Sequence, residues 1–274
     1  MNKKQLIEDL TQIAILRHSK WDELGLMSTR IYIKEQLSRV GHVEEHHFQE
    51  GSEKGVNYIV KLPGKDLKLD PMLIGAHYDG PIHSPGADDN ASGVTALLEL
   101  CRVFKENPPN RSVWIVAFDQ EEWGMLGSKA LSRELSKKGQ KLKLMVSLEM
   151  LAYTGEKQNY PLISMKELFG SKGDFIALVA NTGCAGLLPK LSKGMGKHVS
   201  TKVLPVPING DVLADVRLSD HSPFWDQGYN AIMITDTSFL RNPHYHEPTD
   251  TVETLNFEFF YNVVIGLIEG LGKI

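Results

Sequence analysis

The sequence has few cysteines and lacks both a long apolar run and an excess of basic residues. Its 274 residues include only two cysteines, Cys101 and Cys184, which lie far apart. Cys101 falls within the apolar helical pattern VTALLELCRVF, so we expect it to be a buried, unpaired thiol. No apolar stretch approaches the length needed to cross a bilayer, so we expect no membrane partner.

Basic and acidic residues are nearly balanced, with 30 Lys and Arg against 34 Asp and Glu and a net charge of -4. Without a long basic run, the chain has no footprint for nucleic acid or anionic lipid, and neither is expected as a partner. Near the N-terminus, Glu8 and Asp9 interrupt the apolar core that a signal peptide requires. We therefore expect a cytoplasmic protein, or a secreted one if a leader has been removed.

Short apolar runs that end in acids or histidine dominate the middle of the chain. Two amphipathic helical patterns at 3–17 and 27–40 and a strand-like segment at 57–64, which ends in a Pro-Gly turn, come first. The apolar runs then occupy residues 71–79, 112–122, 143–151 and 229–237. Helical patterns follow or separate them at 92–106, 128–138 and 256–271. Runs that are apolar on both faces are typical of central strands covered by helices on both sides, which predicts an α/β fold.

No internal repeat, linker or low-complexity segment divides the chain, so we expect one domain over residues 1–274. Two segments containing glycine and proline, 155–174 and 183–212, are predicted to be irregular loops over a site. In open α/β sheets, ligands bind beyond the carboxyl ends of the strands. The acids and histidines that end the apolar runs are therefore expected to meet there.

Residues 77–89 contain the first of these polar groups. His77 and Asp79, two residues apart at a strand end, leave the same face. His77 can bind a metal while Asp79 orients it, or the two residues can simply satisfy each other. Asp88 and Asp89 precede a helix start, where capping competes for either carboxylate but does not need both.

Later strand ends add further candidate ligands. Glu121 and Glu122 are adjacent and point in different directions, so one can bind a cation while the other faces a water; a solvated acidic loop is the alternative. Glu149 lies inside an apolar run, where an uncompensated charge is costly to bury. His244 and His246 are either exposed loop histidines or ligands. Two histidines and at least three carboxylates form a set that favours divalent metals, most commonly zinc, and a pair of ions would balance the acids.

Other catalytic signatures are absent or incomplete. The sequence contains neither HExxH nor GxSxG, so nucleophilic catalysis has no candidate residue. SKGMGKH has the spacing of a phosphate loop, but His198 follows Lys197 where Ser or Thr is required. A flexible loop is the favoured interpretation of that segment.

Five stretches carry a resemblance to a known family. GAHYDG, PGADDNASG, FDQEEWGMLGS, SDHSPFW and HYHEPTDT, in this order and at these spacings, resemble the co-catalytic zinc aminopeptidase family, which also contains glutamate carboxypeptidase II and the glutaminyl cyclases. The likeness runs from about residue 26 to the C-terminus. It implies a three-layer αβα sandwich with a central mixed, mostly parallel β-sheet, and a peptide substrate. Many members also carry an accessory domain, for which we expect no room in 274 residues.

The resemblance also implies two zinc ions and a set of site residues. By position, one ion would be held by His77, Asp88 and Glu149, and the other by Asp88, Glu122 and His246, with Asp88 bridging. The remaining roles are Glu121 as general base and later acid, Asp79 orienting His77, Tyr245 at the oxyanion, and Asp220 and His221 lining the site.

One departure and three alternatives stay open. The position of Glu149 is aspartate in the best-known members, where it also helps hold the substrate amine, and the longer side chain changes its reach. An aminopeptidase is the favoured prediction. A glutaminyl cyclase, which uses one zinc, a carboxypeptidase with Arg241 binding the substrate carboxylate, and a catalytically inactive binding protein are the alternatives.

Overall fold

The computed structural model describes residues 1–211 and 213–274. Val212, the last residue of the predicted loop 183–212, lies outside the described residues. Within the described part, the α-helices are α1 (Lys3–Ile13), α2 (Glu23–Ser38), α3 (Gly93–Glu106), α4 (Leu126–Lys137), α5 (Ile163–Phe169), α6 (Leu188–Met195), α7 (His221–Asp226) and α8 (Phe257–Leu271). The strands are β1 (Val43–Glu50), β2 (Glu53–Leu62), β3 (Met72–His77), β4 (Val113–Phe118), β5 (Leu144–Glu149), β6 (Phe175–Asn181), β7 (Ser200–Val206) and β8 (Ala231–Thr235).

All of these strands join one mixed sheet in the order β1-β2-β4-β3-β5-β8-β6-β7. Strands β4, β3, β5 and β8 run parallel to one another, as do β6 and β7. The pairs β1/β2, β2/β4 and β6/β8 are antiparallel. The prediction of a central mixed, mostly parallel sheet is confirmed.

Helices cover both faces of the sheet, which explains why the central strands are mostly apolar. On β3, Ile74 packs into the core formed with α1, α2, α3, α6 and α8, whereas Leu73 faces the opposite core formed with α4 and α7. Successive side chains of a strand point to opposite faces, so a strand buried on both sides has few polar positions. The three-layer αβα prediction is therefore confirmed.

The predicted central elements are confirmed with small shifts at their ends, but the irregular segments are not wholly irregular. The segment 155–174 contains α5, and the prediction of an irregular loop over 183–212 is wrong because α6 and β7 lie there. Proline made α6 and β7 difficult to predict from the sequence. Pro189 lies in the first turn of α6 and Pro205 lies on the edge strand β7, two places where the missing backbone N–H costs little free energy.

Cys101 and Cys184 are both buried and unpaired, as expected for Cys101. Among the described residues, no helix combines the length and apolar character required to span a bilayer. The carboxyl ends of β3, β4, β5 and β8 meet along one edge of the sheet, since these strands are parallel neighbours. The fold thus gathers the polar residues that follow four separate strands.

Helices α6 and α8 approach each other through glycine. A Cβ added at Gly194 would lie 2.5 Å from the Cα of Gly270, closer than real Cβ contacts. We expect Gly194→Val to force the helices apart and lower the free energy of unfolding by about 1–3 kcal/mol. Urea denaturation checks this, with Gly186→Val as the control because an added Cβ there meets nothing within 4 Å. Equal stability of the two variants would contradict the close packing.

Candidate metal centre

His77 ends β3 and is buried among carboxylates. Its Nε2 lies 3.4 Å from Asp89 Oδ1 and 3.5 Å from Glu149 Oε2, and its Nδ1 lies 3.4 Å from Asp79 Oδ1. Asp79 also accepts the backbone N–H groups of Glu121 and Glu122, at 3.0 and 3.1 Å. Asp79 therefore lies beside His77, as predicted, and additionally holds the loop that carries the two glutamates.

Asp89 occupies the centre of the site, between two imidazoles. Its Oδ1 faces His77, and its Oδ2 lies 3.2 Å from His246 Nε2. Glu122 Oε2 lies 3.4 Å from the same atom of His246. Three groups have ligand atoms that all lie within 4.8 Å of one another: His77–Asp89–Glu149, Asp89–Glu122–His246 and His77–Glu121–Glu122. Asp89 belongs to the first two and presents a different oxygen to each.

Asp88 does not join any of these groups, in contrast to its predicted bridging role. Its carboxylate accepts the N–H of Ala152 at 3.0 Å and the amide of Asn242 at 2.8 Å. Residues 88 and 89 lie in a distorted helical turn, Ala87–Ser92, where successive side chains project in different directions. Only one of the two aspartates can face the histidines, and the structure places Asp89 there.

Asp250 and Gly86 shape the turn that presents Asp89. Asp250 accepts the N–H groups of Asp88 and Asp89 at 3.0 and 3.1 Å. Gly86 has a φ of 55°, and a Cβ there would lie 2.0 Å from the carbonyl oxygen of Asp89. Asp250 belongs to HYHEPTDT, but no role was predicted for it. The neighbouring sequence does not show which backbone N–H groups an aspartate will accept.

The three glutamates reach the site from two strand ends. Glu121 Oε2 lies 4.0 Å from His77 Nε2, whereas Glu122 Oε2 lies 3.4 Å from His246 Nε2. The adjacent side chains thus approach different imidazoles, although a ligand atom of each lies within 4.8 Å of the other and of His77. Glu149 ends β5, and its Oε2 accepts a 2.7 Å hydrogen bond from Ser219 Oγ. The extra methylene of Glu149 therefore still allows it to approach His77.

The crowding of carboxylates perturbs their ionisation. Burial, followed by the charges of neighbouring acids, raises the pKa of Glu122 well above its usual range, and burial likewise raises the pKa of Glu121 and Glu149. Although burial opposes ionisation of Asp89 as well, hydrogen bonds from the two imidazoles lower its pKa. The site thus contains more acid than its two histidines offset.

The donor set fits zinc. Imidazole nitrogens and carboxylate oxygens are the ligands that zinc shares with other borderline divalent metals, and catalytic zinc sites keep a position open for water. Within the described residues, the buried Glu122 Oε1 has no hydrogen-bond partner, as expected for an atom whose partner is a cation. His77, Asp89 and Glu149 would hold one ion, and Asp89, Glu122 and His246 the second.

Asp220 and His221 are buried beneath the site and do not line its cavity. His221 Nε2 donates to the carbonyl of Val216 at 2.8 Å, and its ring packs edge-on against Trp225 with centroids 4.3 Å apart. Burial lowers the pKa of His221 to about 3 and raises that of Asp220 to about 7. The packing assigns His221 to the core, in contrast to the predicted contact with substrate.

Arg241 is also buried, although the sequence allowed it to bind a substrate carboxylate. Its guanidinium donates to Gln158 Oε1 and to the carbonyls of Tyr153 and Phe175, and it lies 4.6 Å from the ring centroid of Phe175. It does not line the cavity. These hydrogen bonds connect the segment 153–158 to β6. Arg241 is therefore not placed to bind the carboxylate of a carboxypeptidase substrate.

Tyr245 and His246 stand at the mouth of a cavity, with ring centroids 3.8 Å apart. His244 instead points to Thr249, at 2.9 Å, and belongs to none of the ligand groups. The cavity, of about 280 Å³, has Asp89, Glu121, Glu122, Glu149 and His246 at one end. Its walls are largely apolar, with Phe175, Ala177 and Val179 from β6, Leu204 from β7, Met233 from β8, and Met165 and Phe169 from α5.

Comparisons relate the chain to known protein sequences. Residues 57–265 match Peptidase family M28. Over 213 residues the chain is 36% identical to the uncharacterized protein YfbL of Escherichia coli, covering 72% of this chain and 65% of YfbL.

Solved structures share the fold. A zinc aminopeptidase from Bacillus subtilis superposes with a TM-score of 0.60 and 25% identity, covering 81% of this chain and 50% of that one. The glutaminyl cyclase of Macrostomum lignano superposes with a TM-score of 0.74 and 16% identity, covering 99% and 88%. Both a peptidase and a cyclase therefore share this fold, which cannot by itself decide between the two reactions.

The different orientations of Asp88 and Asp89 generate a direct test. We expect Asp89→Asn to bind at least 10-fold less zinc at limiting concentration, because it removes a charge common to two ligand groups. Asp88→Asn should retain the metal, since its carboxylate belongs to no ligand group and the amide oxygen keeps one of its two hydrogen bonds. Metal content after dialysis, measured by mass spectrometry, distinguishes them. Metal loss from Asp88→Asn alone would restore the bridging role predicted from the sequence.

Proposed function

Because this chain belongs to Peptidase family M28, we propose that it is a two-zinc aminopeptidase that removes N-terminal residues from peptides. The observation that carries the proposal is the sharing of Asp89 by two ligand groups at one end of a cavity that also contains Glu121. Glu121 also lies in the group His77–Glu121–Glu122 but does not share Asp89, and a carboxylate beside ligand groups for two ions is suited to act as the general base in hydrolysis of a peptide bond.

The reaction divides between the ions and the side chains around them. Bound zinc would lower the pKa of water toward neutrality and polarise the scissile carbonyl. Glu121 belongs to neither of the two ligand groups that share Asp89, and it lines the cavity. It accepts a proton from the hydrolytic water and returns that proton to the leaving amine. Asp79 holds Glu121 in place through its backbone N–H.

Two further groups act on the substrate. Tyr245, whose ring stacks on His246, donates its hydroxyl proton in a hydrogen bond to the oxygen of the tetrahedral intermediate. Glu149 lines the cavity and faces the α-amine, which is positively charged at neutral pH. This pairing supports cleavage at a free N-terminus, because an acylated amine has no charge to offer.

The apolar walls favour a substrate whose first residue has a large hydrophobic side chain. Glu149, Thr235 and Ala177 are successive partners across β5, β8 and β6, so Ala177 lies about 10 Å from the metal ligand, two strand spacings away. Phe175 and Met233 flank this row, and Met165 of α5 covers it. Burying such a side chain contributes about 1.5–3 kcal/mol to binding.

A glutaminyl cyclase is the second candidate, supported by the shared fold. The structure favours the peptidase over it because His77 and Glu149 complete a second ligand group that a one-zinc cyclase does not need. The carboxypeptidase alternative loses support because Arg241 is buried against Phe175.

Replacing the proposed base tests the reaction. We expect Glu121→Gln to retain zinc and the parent melting temperature but to lose about 100- to 10,000-fold in kcat, because the amide cannot accept the proton. Mass spectrometry follows a panel of peptides with free, N-acetylated and N-terminal glutamine termini, each incubated with the zinc-loaded parent and the variant.

The panel separates the candidates. Stepwise loss of N-terminal residues from free peptides alone supports the aminopeptidase. Loss of ammonia from glutamine peptides without hydrolysis identifies a cyclase, and trimming from the other end identifies a carboxypeptidase. A Glu121→Gln protein that turns over at the parent rate would remove the base from the mechanism.

Filling the cavity tests the side-chain preference. We expect Ala177→Phe to lower kcat/KM for an N-terminal phenylalanine by about 10- to 200-fold, because the added ring occupies the space of the substrate side chain. An N-terminal alanine substrate serves as the control and should be affected much less. Equal losses for both substrates would indicate a general disturbance of the site instead of a filled pocket.

A further inference from the structure

Arg17 is a fully buried arginine outside the residues that match the family, 57–265. It lies in the segment between α1 and α2, and nothing in the sequence motifs gives it a role. Every guanidinium nitrogen of Arg17 donates to backbone carbonyls. Burying a guanidinium costs free energy unless its N–H groups are hydrogen-bonded. The surrounding chain supplies these acceptors at defined positions and so fixes the position of Arg17.

The acceptors show what Arg17 holds. Its Nε donates to the carbonyl of Tyr78 at 2.9 Å, directly after the candidate ligand His77. Its Nη2 donates to the carbonyls of Gly86 at 2.9 Å and of Asp89 itself at 3.3 Å, and Nη1 donates to Pro85. The guanidinium therefore spans the loop from 78 to 89 and joins the two ends that carry His77 and Asp89.

The loop is packed closely around this guanidinium. A Cβ added at Gly80 would lie 3.1 Å from Arg17 Cγ, and one at Gly86 would lie 3.1 Å from Arg17 Nη2. The charge of Arg17 also acts on the site, because the carboxylates of Asp89, Asp79, Asp250 and Glu122 are close enough to oppose the lowering of its pKa by burial. Shape and charge both connect Arg17 to the metal ligands.

Neighbours of Arg17 contact the second ligand loop. The ring of His18 packs edge-on against Trp123, with centroids 5.7 Å apart, and Lys20 Nζ lies 4.0 Å from the centroid of the same indole. Trp123 directly follows Glu122. The segment 17–20 thus contacts the loops that supply His77, Asp89 and Glu122.

We infer that Arg17 is a positioning residue for the metal centre: it fixes the loop between His77 and Asp89 in the shape that binds metal before metal arrives. This inference rests on the proposed two-zinc function. Groups that orient metal ligands typically contribute 10- to 100-fold in metal affinity. Lysine at this position would keep the charge but lose the fork that reaches several carbonyls at once.

The test compares zinc affinity with stability. The parent, Arg17→Lys and Arg111→Lys are titrated with zinc against a competing chelator, and the melting temperature of each metal-free protein is measured. Arg111 is the matched control, because it is also buried and donates to the backbone carbonyls of Ile274 and Asp70, which lie away from the ligand groups. We expect Arg17→Lys to weaken zinc binding by about 10- to 100-fold and Arg111→Lys to leave it unchanged.

A second variant covers failure of Arg17→Lys to fold. Gly80→Ala keeps every charge but presses on the stem of Arg17, and we expect zinc binding to weaken several-fold, on the order of 3- to 10-fold. Parent-like zinc affinity in whichever of these variants folds, with or without a lower melting temperature, would reduce Arg17 to a structural role. A parent that binds no zinc would overturn the proposed function and this inference together, so the two failures are distinguishable.

Discussion

The structure depends on gathering four carboxylates around the buried imidazole of His77 and the exposed imidazole of His246 at the edge of a sheet. Asp89, Glu121, Glu122 and Glu149 repel one another, and burial makes each charge more costly still. No single element could supply this arrangement, because neighbouring side chains of a strand or turn diverge. Parallel strands solve the problem, since their carboxyl ends bring residues distant in sequence to one edge.

The acidic motifs divide their carboxylates between two tasks. Some face the cavity, while others accept backbone N–H groups and hold the loops that carry the first set. Asp79 holds the backbone of Glu121 and Glu122, and Asp250 holds that of Asp88 and Asp89. Arg17 donates to backbone carbonyls of the loop 78–89, including those of Tyr78 and Asp89. An acid in such a motif can therefore support a loop instead of binding a metal, which explains why motif position alone could not separate Asp88 from Asp89.

Much of the fold was predictable because strands buried on both faces are nearly all apolar, as in β3, β4, β5 and β8, where the few polar residues lie mostly at the carboxyl end. The edge of the sheet was harder to predict. β7 carries Pro205 and is half exposed, so its pattern is weak, and α6 has Pro189 in its first turn. Among the site residues, His77, Glu121, Glu122 and Glu149 could be predicted because each lies at the end of an apolar run, whereas His246 was predicted only from the resemblance of HYHEPTDT.

Composition and periodicity were enough to specify a helix-covered sheet and the kinds of side chain, imidazole and carboxylate, that collect at its edge. They could not specify which of Asp88 and Asp89 faces the histidines, that Arg241 and His221 turn inward, or that Arg17 reaches Asp89. Those outcomes depend on hydrogen bonds between residues far apart in the chain. A local pattern records the direction of a side chain only relative to its own strand or turn, and the partner that fixes it is known only once the chain has folded.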